Sequence, residues 1–588
     1  MGSEGESYIV VDVDSDLTKA ALIVKRNIKL GVKGVAEANT TIDEPELDVT
    51  IGVKEAINRL EEEVGRELWS GTGPKEGYKF LCSSSSSGGL HMVVAGVVSM
   101  VSAESAQRAA LGAGALLMDV FSIDDSRPRF RKIQDMRKLK PDMFLLAGGT
   151  DGGAVRQVIE LAELIDESDI HPRFGEGFRL PLIYAGNIEI REEVKEGISD
   201  ERYAMRYVDN VRPVIESENL GPAREEIYDA YMEQVIIHSP GYDTLLKWVD
   251  DKILPTQASI GRIIYDYATS SGVNLVAADV GGATTDVYSV FDGIFNRSLN
   301  ANIGIKYGIS NIMKETGISN LLRWIPPDMG ERKTRNIIGN LMVNQPGSLT
   351  KEEKLVKLAA IREAIRLGLD KHKEIASRLK GVTITRTIAD IFHQSLESTY
   401  LDMMNTDVII GRGYNLSKGY SWNEKTLLML DAFQPEGVTE MLFDTRSIMP
   451  HLGMILVEDR STAIELMRKA CLRRIGTCIA PRGRSKNRKQ VMEFTLRTPE
   501  EEVKQTLTYG ELKTIPLDED KVAIVEVKTV RGFDLGNGFG KTLSAEVRGG
   551  VKGIIIDARG RPLEPDRREL AAEWTEELGL DGDRIFNR

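Results

Sequence analysis

The chain has 588 residues, of which 28% are charged, and 76 Lys and Arg set against 89 Asp and Glu give it a formal net charge of −13 at pH 7. That length accommodates several domains around ample core, and the acidic balance excludes broad binding to nucleic acid or anionic membrane. Cys82, Cys471 and Cys478 form no C-x-x-C pair, which excludes a disulfide framework, zinc ribbon or iron–sulfur cluster, and a polar start without a long apolar run leads us to expect a soluble, cytoplasmic protein.

Tyr8–Val13 reads as a strand, followed by Asp14-Ser15-Asp16-Leu17-Thr18-Lys19 and a second apolar run, Ala20–Val24. Ala56, Ile57, Leu60, Val64 and Leu68 recur at helix spacing and predict a helix over Val53–Leu68. Phe80–Cys82 leads into Ser83–Ser87 and Gly88-Gly89, either a flexible linker or an internal loop whose hydroxyls and N–H groups suit an anion. Helices are expected at Ala103–Val120 and Ala154–Ile165, flanking a strand Phe144–Leu146 that runs into Ala147-Gly148-Gly149-Thr150-Asp151-Gly152-Gly153. An acidic connector, Ile165–Gly177, and a helix, Arg224–Ile236, precede the Pro240-Gly241 turn.

A second lobe is expected to open near Gly272, with the stretch AADVGGATTDVYSV at Ala277–Val290. Lys351–Arg378 reads as a long amphipathic helix with Leu355, Leu358, Ala359, Ala364, Ile365 and Leu369 as its buried stripe. Val408–Ile410 then runs into Gly411-Arg412-Gly413. Arg473–Lys489 is basic and reads as a solvated linker, with contact to an acidic partner or to phosphates as the sharper alternative. Beyond it the pattern turns to strands at Val522–Val530, Leu543–Val547 and Val551–Ile556, and a short helix is expected at Arg568–Leu578. Gly536–Thr542 lacks the first glycine of a P-loop, Leu535 standing there, and lacks the following helix, so a glycine-rich hairpin turn is expected.

The chemistry concentrates at Asp279–Asp286. Gly281 and Gly282 let backbone N–H groups approach a polyphosphate, Thr284 and Thr285 offer hydroxyls, and Asp279 and Asp286 suit a Mg²⁺-bound or attacking water. The pattern occurs twice: aligned on Asp12 and Asp279, DVDSDLTK and DVGGATTD share Asp, Val and Thr at matching offsets. Each copy precedes a paired-glycine turn at a similar interval, from 12 to 148 and from 279 to 411. A repeat that long marks a duplicated domain rather than a solenoid.

Two lobes that each open with such a hairpin resemble the actin–hexokinase–heat-shock-chaperone (ASKHA) ATPases. LLAGGTDGG (Leu145–Gly153), DVGGATTDVYSV (Asp279–Val290), SSSGGLHMVVAG (Ser85–Gly96), RAALGAGA (Arg108–Ala115), LIYAGN (Leu182–Asn187), LPT (Leu254–Thr256) and VRGGVKGIIIDARGRPL (Val547–Leu563) resemble one branch closely. That branch is the MutL/GlmL accessory proteins of adenosylcobalamin-dependent glutamate mutase, unrelated to the mismatch-repair protein of the same name. The resemblance implies duplicated actin/ribonuclease-H-like α/β lobes around a nucleotide cleft, the first at 1–270 with insertions and the second at 271–480, with a β-rich domain at 490–588. It implies ATP and Mg²⁺ as cofactors, a cobalamin-dependent mutase or other protein subunit as partner, and ATP-driven release of damaged cobalamin as the activity; an oligomer is compatible with it. Carried over by position, Asp12 and Asp279 serve Mg²⁺ and catalysis, and Lys19 neutralises phosphate charge. Gly281, Gly282, Ala283, Thr284 and Thr285 bind phosphate, and Gly411 and Gly413 approach adenosine.

The departures from the family pattern open a second reading. The family's first loop, D-x-G-S-T-x-T-K, here has Asp14 for Gly and Asp16 for Thr; its E-G-D-L-G is Asn300-Ala301-Asn302-Ile303-Gly304; and Tyr414 stands where glycine is expected. Carboxylates beside a tetra-anionic nucleotide oppose its binding, so a degenerate, non-hydrolysing ASKHA scaffold is the alternative. His372 lies in a partial D-x-H-x-x-G cobalamin-ligand motif without its glycine; a surface helix position is expected for it, with no cobalamin bound by the chain itself.

Overall fold

The computed structural model describes residues 7–563 except 27–28, 86–89, 174, 176, 232, 234–238, 307, 326–328, 344–348, 378–398, 414–415, 417–418, 486–488 and 499–500. The expectations for Tyr414, for Ser86–Gly89 and for the helix at Arg568–Leu578 therefore lie outside the described residues. The chain divides into two compact units, one of Met1–Asp266, Ser377–Ser398 and Ile448–Ala470, the other of Tyr267–Ala376, Thr399–Ser447 and Cys471–Arg588.

The first unit is built on strands β1 (Ser7–Val13), β2 (Leu17–Arg26), β3 (Lys29–Asn39), β4 (Tyr78–Ser84) and β10 (Leu254–Pro255), in the order β10-β4-β1-β2-β3. β1, β2 and β3 run antiparallel, whereas β4 pairs parallel with β1 and β10 with β4. Because β1 is central and covered on both faces, Tyr8, Ile9, Val10 and Val11 are all fully buried, which is why it reads as an unbroken apolar run. The helix predicted at Val53–Leu68 forms one turn earlier, Val49–Val64, with Asp48 accepting from the Thr50 N–H at its N-terminus.

Between β4 and β10 lies a second, wholly parallel sheet of β5 (His91–Gly96), β6 (Leu116–Ser122), β7 (Met143–Ala147), β8 (Leu180–Tyr184) and β9 (Tyr203–Tyr207), ordered β6-β5-β7-β8-β9. Its helices alternate with the strands, among them Arg129–Lys138 and Arg156–Ser168, and it has its own core around Val93, Phe144, Leu146 and Tyr184. Two expectations are corrected here. The helix expected over Ala103–Val120 stops at Gly112, because Gly114 adopts a positive φ of 91° and turns the chain into β6. The strand ending at Ala147, expected to sit in the first lobe as Val408–Ile410 sits in the second, belongs instead to the inserted sheet; the parallel neighbour of β1 is β4.

The second unit carries β11 (Leu275–Val280), β12 (Thr285–Phe291), β13 (Ile294–Asn300), β14 (Val408–Arg412), β15 (Gly437–Asp444), β16 (Leu472–Ala480), β19 (Leu512–Ile515) and β22 (Ile554–Asp557). They form one sheet in the order β13-β12-β11-β14-β15-β16-β22-β19. Its first five strands repeat the first unit's pattern, three antiparallel followed by two parallel additions, so the duplication is present in topology. The long helix spans Lys351–Ile375 and opens with a capping box between Thr350 and Glu353. A Cβ on its Gly368 would lie 2.9 Å from Val287 Cγ2, so the helix rests directly on β12. That contact corrects the reading of His372, which is fully buried: its Nδ1 meets Ser298 Oγ and its Nε2 meets Ser289 Oγ, each at 2.8 Å.

The strands of the β-rich region expected at 490–588 are divided between two sheets. β17 (Gln490–Arg497), β18 (Glu502–Thr508), β20 (Val522–Thr529) and β21 (Thr542–Arg548) do form their own antiparallel sheet. But β22 pairs with β16 and β19 with β22, and Ile479, Ile554 and Ile556 share a core with Phe494 and Val525. Arg482, expected in a solvated linker, bridges to Asp534 and pairs with Glu436. The turn between β20 and β21 is a glycine-rich hairpin, as the sequence predicts, held by Asp534 Oδ1 accepting from the Gly536 and Gly538 N–H groups at 2.8 Å each.

Candidate functional site

The two repeated hairpins share one turn geometry. The Asp14 N–H donates to Leu17 O at 3.1 Å in the first, and the Gly281 N–H donates to Thr284 O at 2.9 Å in the second. In both, the turn carbonyls are held from the segment after the third strand. Thr40 donates its N–H to Asp16 O and its Oγ1 to Asp14 O in the first, while the Ile305 and Lys306 N–H groups donate to Gly281 O and Gly282 O in the second. With the carbonyls engaged, the N–H groups are what each turn offers outward.

The hairpins part at that point. In the second, the N–H groups of Gly282, Ala283 and Thr284 meet no acceptor among the described residues, and Ala283 is exposed. Three successive unengaged donors form a nest for an anion. Gly304 makes that turn possible, since a Cβ there would fall 2.3 Å from Gly282 O and from Ala283 C. In the first hairpin the equivalent donor is already taken, for Asp14 Oδ1 accepts from the Ser15 N–H at 2.8 Å and from Ser85 Oγ at 2.9 Å. Although Asp14 as a residue is exposed, desolvation of its carboxyl and the neighbouring Asp12 charge raise its pKa, against the hydrogen bonds from Ser15 and Ser85. The chain thus supplies its own anion where a phosphate would sit. Of the serine run read as a possible anion site, Ser83 and Ser85 instead donate to the carboxylates of Asp12 and Asp14.

The paired aspartates occupy equivalent positions with different partners. Asp12 faces Ser83 in register on β4, and Asp279 faces Arg412 in register on β14. Asp12 Oδ1 accepts from Ser83 Oγ and from Thr256 Oγ1, each at 2.7 Å. Asp279 pairs with the Arg412 guanidinium, which also lies 3.4 Å from Asp444 Oδ2. Asp286 is buried against Arg297, whose Nε donates to Oδ1 at 2.9 Å, and Thr284 Oγ1 reaches Asp286 Oδ2 at 3.3 Å.

The remaining sequence-nominated residues are distributed as follows. Lys19 lies opposite Asp12 across the hairpin and pairs with Glu37 at 3.0 Å. Thr285 departs from its expected role: it is fully buried, and its hydroxyl donates to Ile303 O at 2.5 Å, because adjacent residues entering a strand point to opposite faces. Gly411 lies within β14, where a Cβ would strike Phe443 and Met429 of the core, whereas Gly413 adopts a positive φ of 151° against Val280 O. Thr256, Arg297 and Arg412 escape motif reasoning. Only Thr256, within LPT, lies in a stretch the sequence marked for resemblance.

The nest fits a nucleotide phosphate: it presents unengaged donors at a close-packed glycine turn. Among the described residues no group of three or more His, Cys, Asp or Glu comes together as a metal site. A Mg²⁺ ion here would draw on an aspartate together with phosphate oxygens and water, the usual habit of that ion.

Two units that repeat one strand pattern, each opening on the same hairpin turn, define a duplicated α/β protein. The family model described as MutL protein matches residues 8–471, and the chain belongs to that family. It is 30% identical over 341 residues to Protein MutL of Clostridium tetanomorphum, spanning 54% of this chain and 69% of that protein. Among solved structures it is similar to nucleotide-free acetone carboxylase, at 10% identity over 86% of this chain and 81% of that one, with a TM-score of 0.32. It is also similar to nucleotide-free diol dehydratase-reactivating factor, at 10% identity over 77% and 99%, with a TM-score of 0.29.

Proposed function

We propose that this protein binds ATP at the second hairpin and acts as a reactivating accessory protein for an adenosylcobalamin-dependent mutase such as glutamate mutase. The observation that supports ATP binding is the row of unengaged N–H groups at Gly282, Ala283 and Thr284. The mutase partner follows from the resemblance to glutamate mutase accessory proteins, a reading that membership of the MutL family supports. When bound, the nucleotide supplies hydrolysis free energy for expelling damaged cofactor from the partner. The chain's own residues do the positioning. The nest would hold phosphate oxygens, Thr284 keeps its hydroxyl on Asp286, and Asp279, paired with Arg412, would be the carboxylate offered to Mg²⁺. Asp12, held by Ser83 and Thr256, is the first lobe's counterpart of Asp279, and Gly413 lies in the turn that the resemblance assigns to adenosine.

A second reading, a non-hydrolysing scaffold, is favoured by one feature: Asp14 already fills the first turn with a carboxylate. Calorimetry with Mg-ATP separates the two. The reactivase reading expects binding and turnover by the unaltered protein, with ATP-dependent recovery of a mutase inactivated by damaged cobalamin. The double change Asp14→Gly and Asp16→Thr is expected to tighten Mg-ATP binding about tenfold, equivalent to roughly 1.4 kcal/mol of removed repulsion. Binding without turnover in the unaltered protein selects the scaffold. Failure of both proteins to bind removes the nucleotide site altogether.

A further inference from the structure

The inserted parallel sheet is used by neither hairpin, yet it contains two of the stretches that mark the family, LLAGGTDGG and LIYAGN. The strand order β6-β5-β7-β8-β9 is that of a doubly wound sheet whose connections diverge between β5 and β7, and such sheets recognise partners and ligands at the carboxyl ends of their strands. At that edge the loops are tied into one frame. Asn187 Oδ1 accepts from the Gly152 and Glu189 N–H groups at 3.2 and 3.1 Å. Asn210 Nδ2 donates to Gly149 O and to Asp151 Oδ1, both at 2.9 Å. The Asp151 N–H donates to Pro213 O at 3.0 Å, and a Cβ on Gly148 would lie 2.5 Å from Val97 Cγ2. The glycine-rich loop after β7 is therefore a structural hub for the loops after β5, β8 and β9.

What this frame displays is apolar. Val98 and Met100 follow β5, Val155 follows β7, Ile188 follows β8, and Val214 and Ile215 follow β9; all are between 40% and 55% exposed. An exposed apolar group of this kind on one edge of a domain marks an interaction surface. Its border is acidic, with Asp151, Glu189, Asp209 and Glu216 exposed. Arg127 and Arg129 are already paired, with Asp119, Asp125 and Glu167, which leaves Arg156 as the exposed cation on the opening turn of the helix after β7.

We propose that this edge is the docking surface for the partner protein, and that it receives a protein face with an apolar centre bordered by lysine and arginine. The charge of the border selects that occupant, because a phosphorylated ligand or an acidic partner would meet carboxylates. The proposal rests on the reading above that the partner is a mutase, and it assigns to the inserted sheet a recognition role separate from nucleotide binding.

The test uses the full chain and the purified adenosylcobalamin-dependent mutase of the same organism. Three proteins are compared: unaltered, Val155→Ser/Ile188→Ser/Val214→Ser, and Glu189→Lys/Asp209→Lys. Mutase affinity is measured at low and high salt, alongside Mg-ATP affinity and melting temperature. Expected is at least a tenfold loss of mutase affinity in both variants, with loss of salt dependence in the charge-reversed one and no change in Mg-ATP affinity or melting. Equal mutase binding by all three proteins overturns the docking assignment and leaves the proposed function standing. An unaltered protein that neither binds nor reactivates the mutase overturns both. Light scattering that shows the unaltered chain dimeric and the apolar variant monomeric makes the edge a contact between copies, which also overturns the proposal.

Discussion

His372 is a neutral imidazole wedged between two serine hydroxyls, and burial pushes its pKa down to about 3. Since the unfolded side chain titrates near 6.5, the folded state resists protonation. Its contribution is therefore complete above that value and is lost as pH falls towards 3, at up to about 1.4 kcal/mol per pH unit. His372→Gln keeps a hydrogen-bonding side chain and removes the titration. The stability gap between the two proteins, measured by denaturant unfolding from pH 7 to 4.5, is expected to narrow with falling pH. Asp557 behaves in the same direction for a different reason. Burial alone would raise its carboxyl, but Arg559 and Arg561 beside it hold it well below the usual carboxylate range. Arg559 also reaches Asp431 at 2.7 Å, and Arg362 Nε donates to Asp431 at 2.8 Å, so a run of buried ion pairs fastens β22 to the lobe. Asp557→Asn leaves two buried guanidinium groups undercompensated and is expected to cost about 3–5 kcal/mol at pH 7. That penalty shrinks as pH falls below the unfolded carboxylate range, because the unfolded carboxyl then takes up a proton that the folded one, held by its two arginines, does not.

At the scale of one element, the second hairpin and the segment beneath it act together. Asn300–Gly304 lost the family's acidic residues but kept Gly304, and the reason is steric: the turn backbone lies against it. Gly304→Ala is expected to displace the nest, costing about 1–3 kcal/mol of stability and weakening Mg-ATP binding at least tenfold. Gly281→Ala is a milder companion, because a Cβ there would stand 3.3 Å from Thr284 O. Calorimetry on the two variants checks the ranking; equal affinities would mean that the support under the turn is irrelevant to the nucleotide.

At the scale of the whole molecule, sequence order and compact units do not coincide. The helices Met449–Glu458 and Arg460–Leu466 belong to the first unit. A Cβ on Gly453 would fall 2.0 Å from Ser259 O, and His451 Nε2 meets the Lys19 carbonyl at 3.1 Å. A fragment ending at Asp266 is therefore expected to remain unfolded alone and to gain cooperative melting when residues 448–470 are fused to it. The tail is equally dependent. Residues 490–588 expressed alone are expected to show no cooperative transition by circular dichroism, because β19 and β22 find their partners in the lobe's sheet. Trypsin cleavage between Arg484 and Lys489 is expected to yield two pieces that still elute as one species. Separate elution of a folded tail would restore the independent domain.

Much of this protein was legible before any coordinates. The hairpin repeat, Asp12 with Asp279 and Thr18 with Thr285, is a local property: alternation along two short strands and a turn fixes which residues face each other, and the register on both hairpins follows it. Family-marking stretches were legible for the same reason, since each is one turn or one strand. What the sequence could not settle was which distant strand lies beside which. The similar intervals to Gly148 and Gly411 suggested one relationship, yet β1 pairs with the serine-ended β4, while Ala147 belongs to an inserted sheet. Strand neighbours are chosen by closure of the whole sheet, which no spacing encodes. The same holds for His372, whose helix looked amphipathic with a polar side until the β-sheet beneath it took that side as well. It holds too for Arg412, whose pairing with Asp279 comes from parallel register across 133 residues of intervening chain.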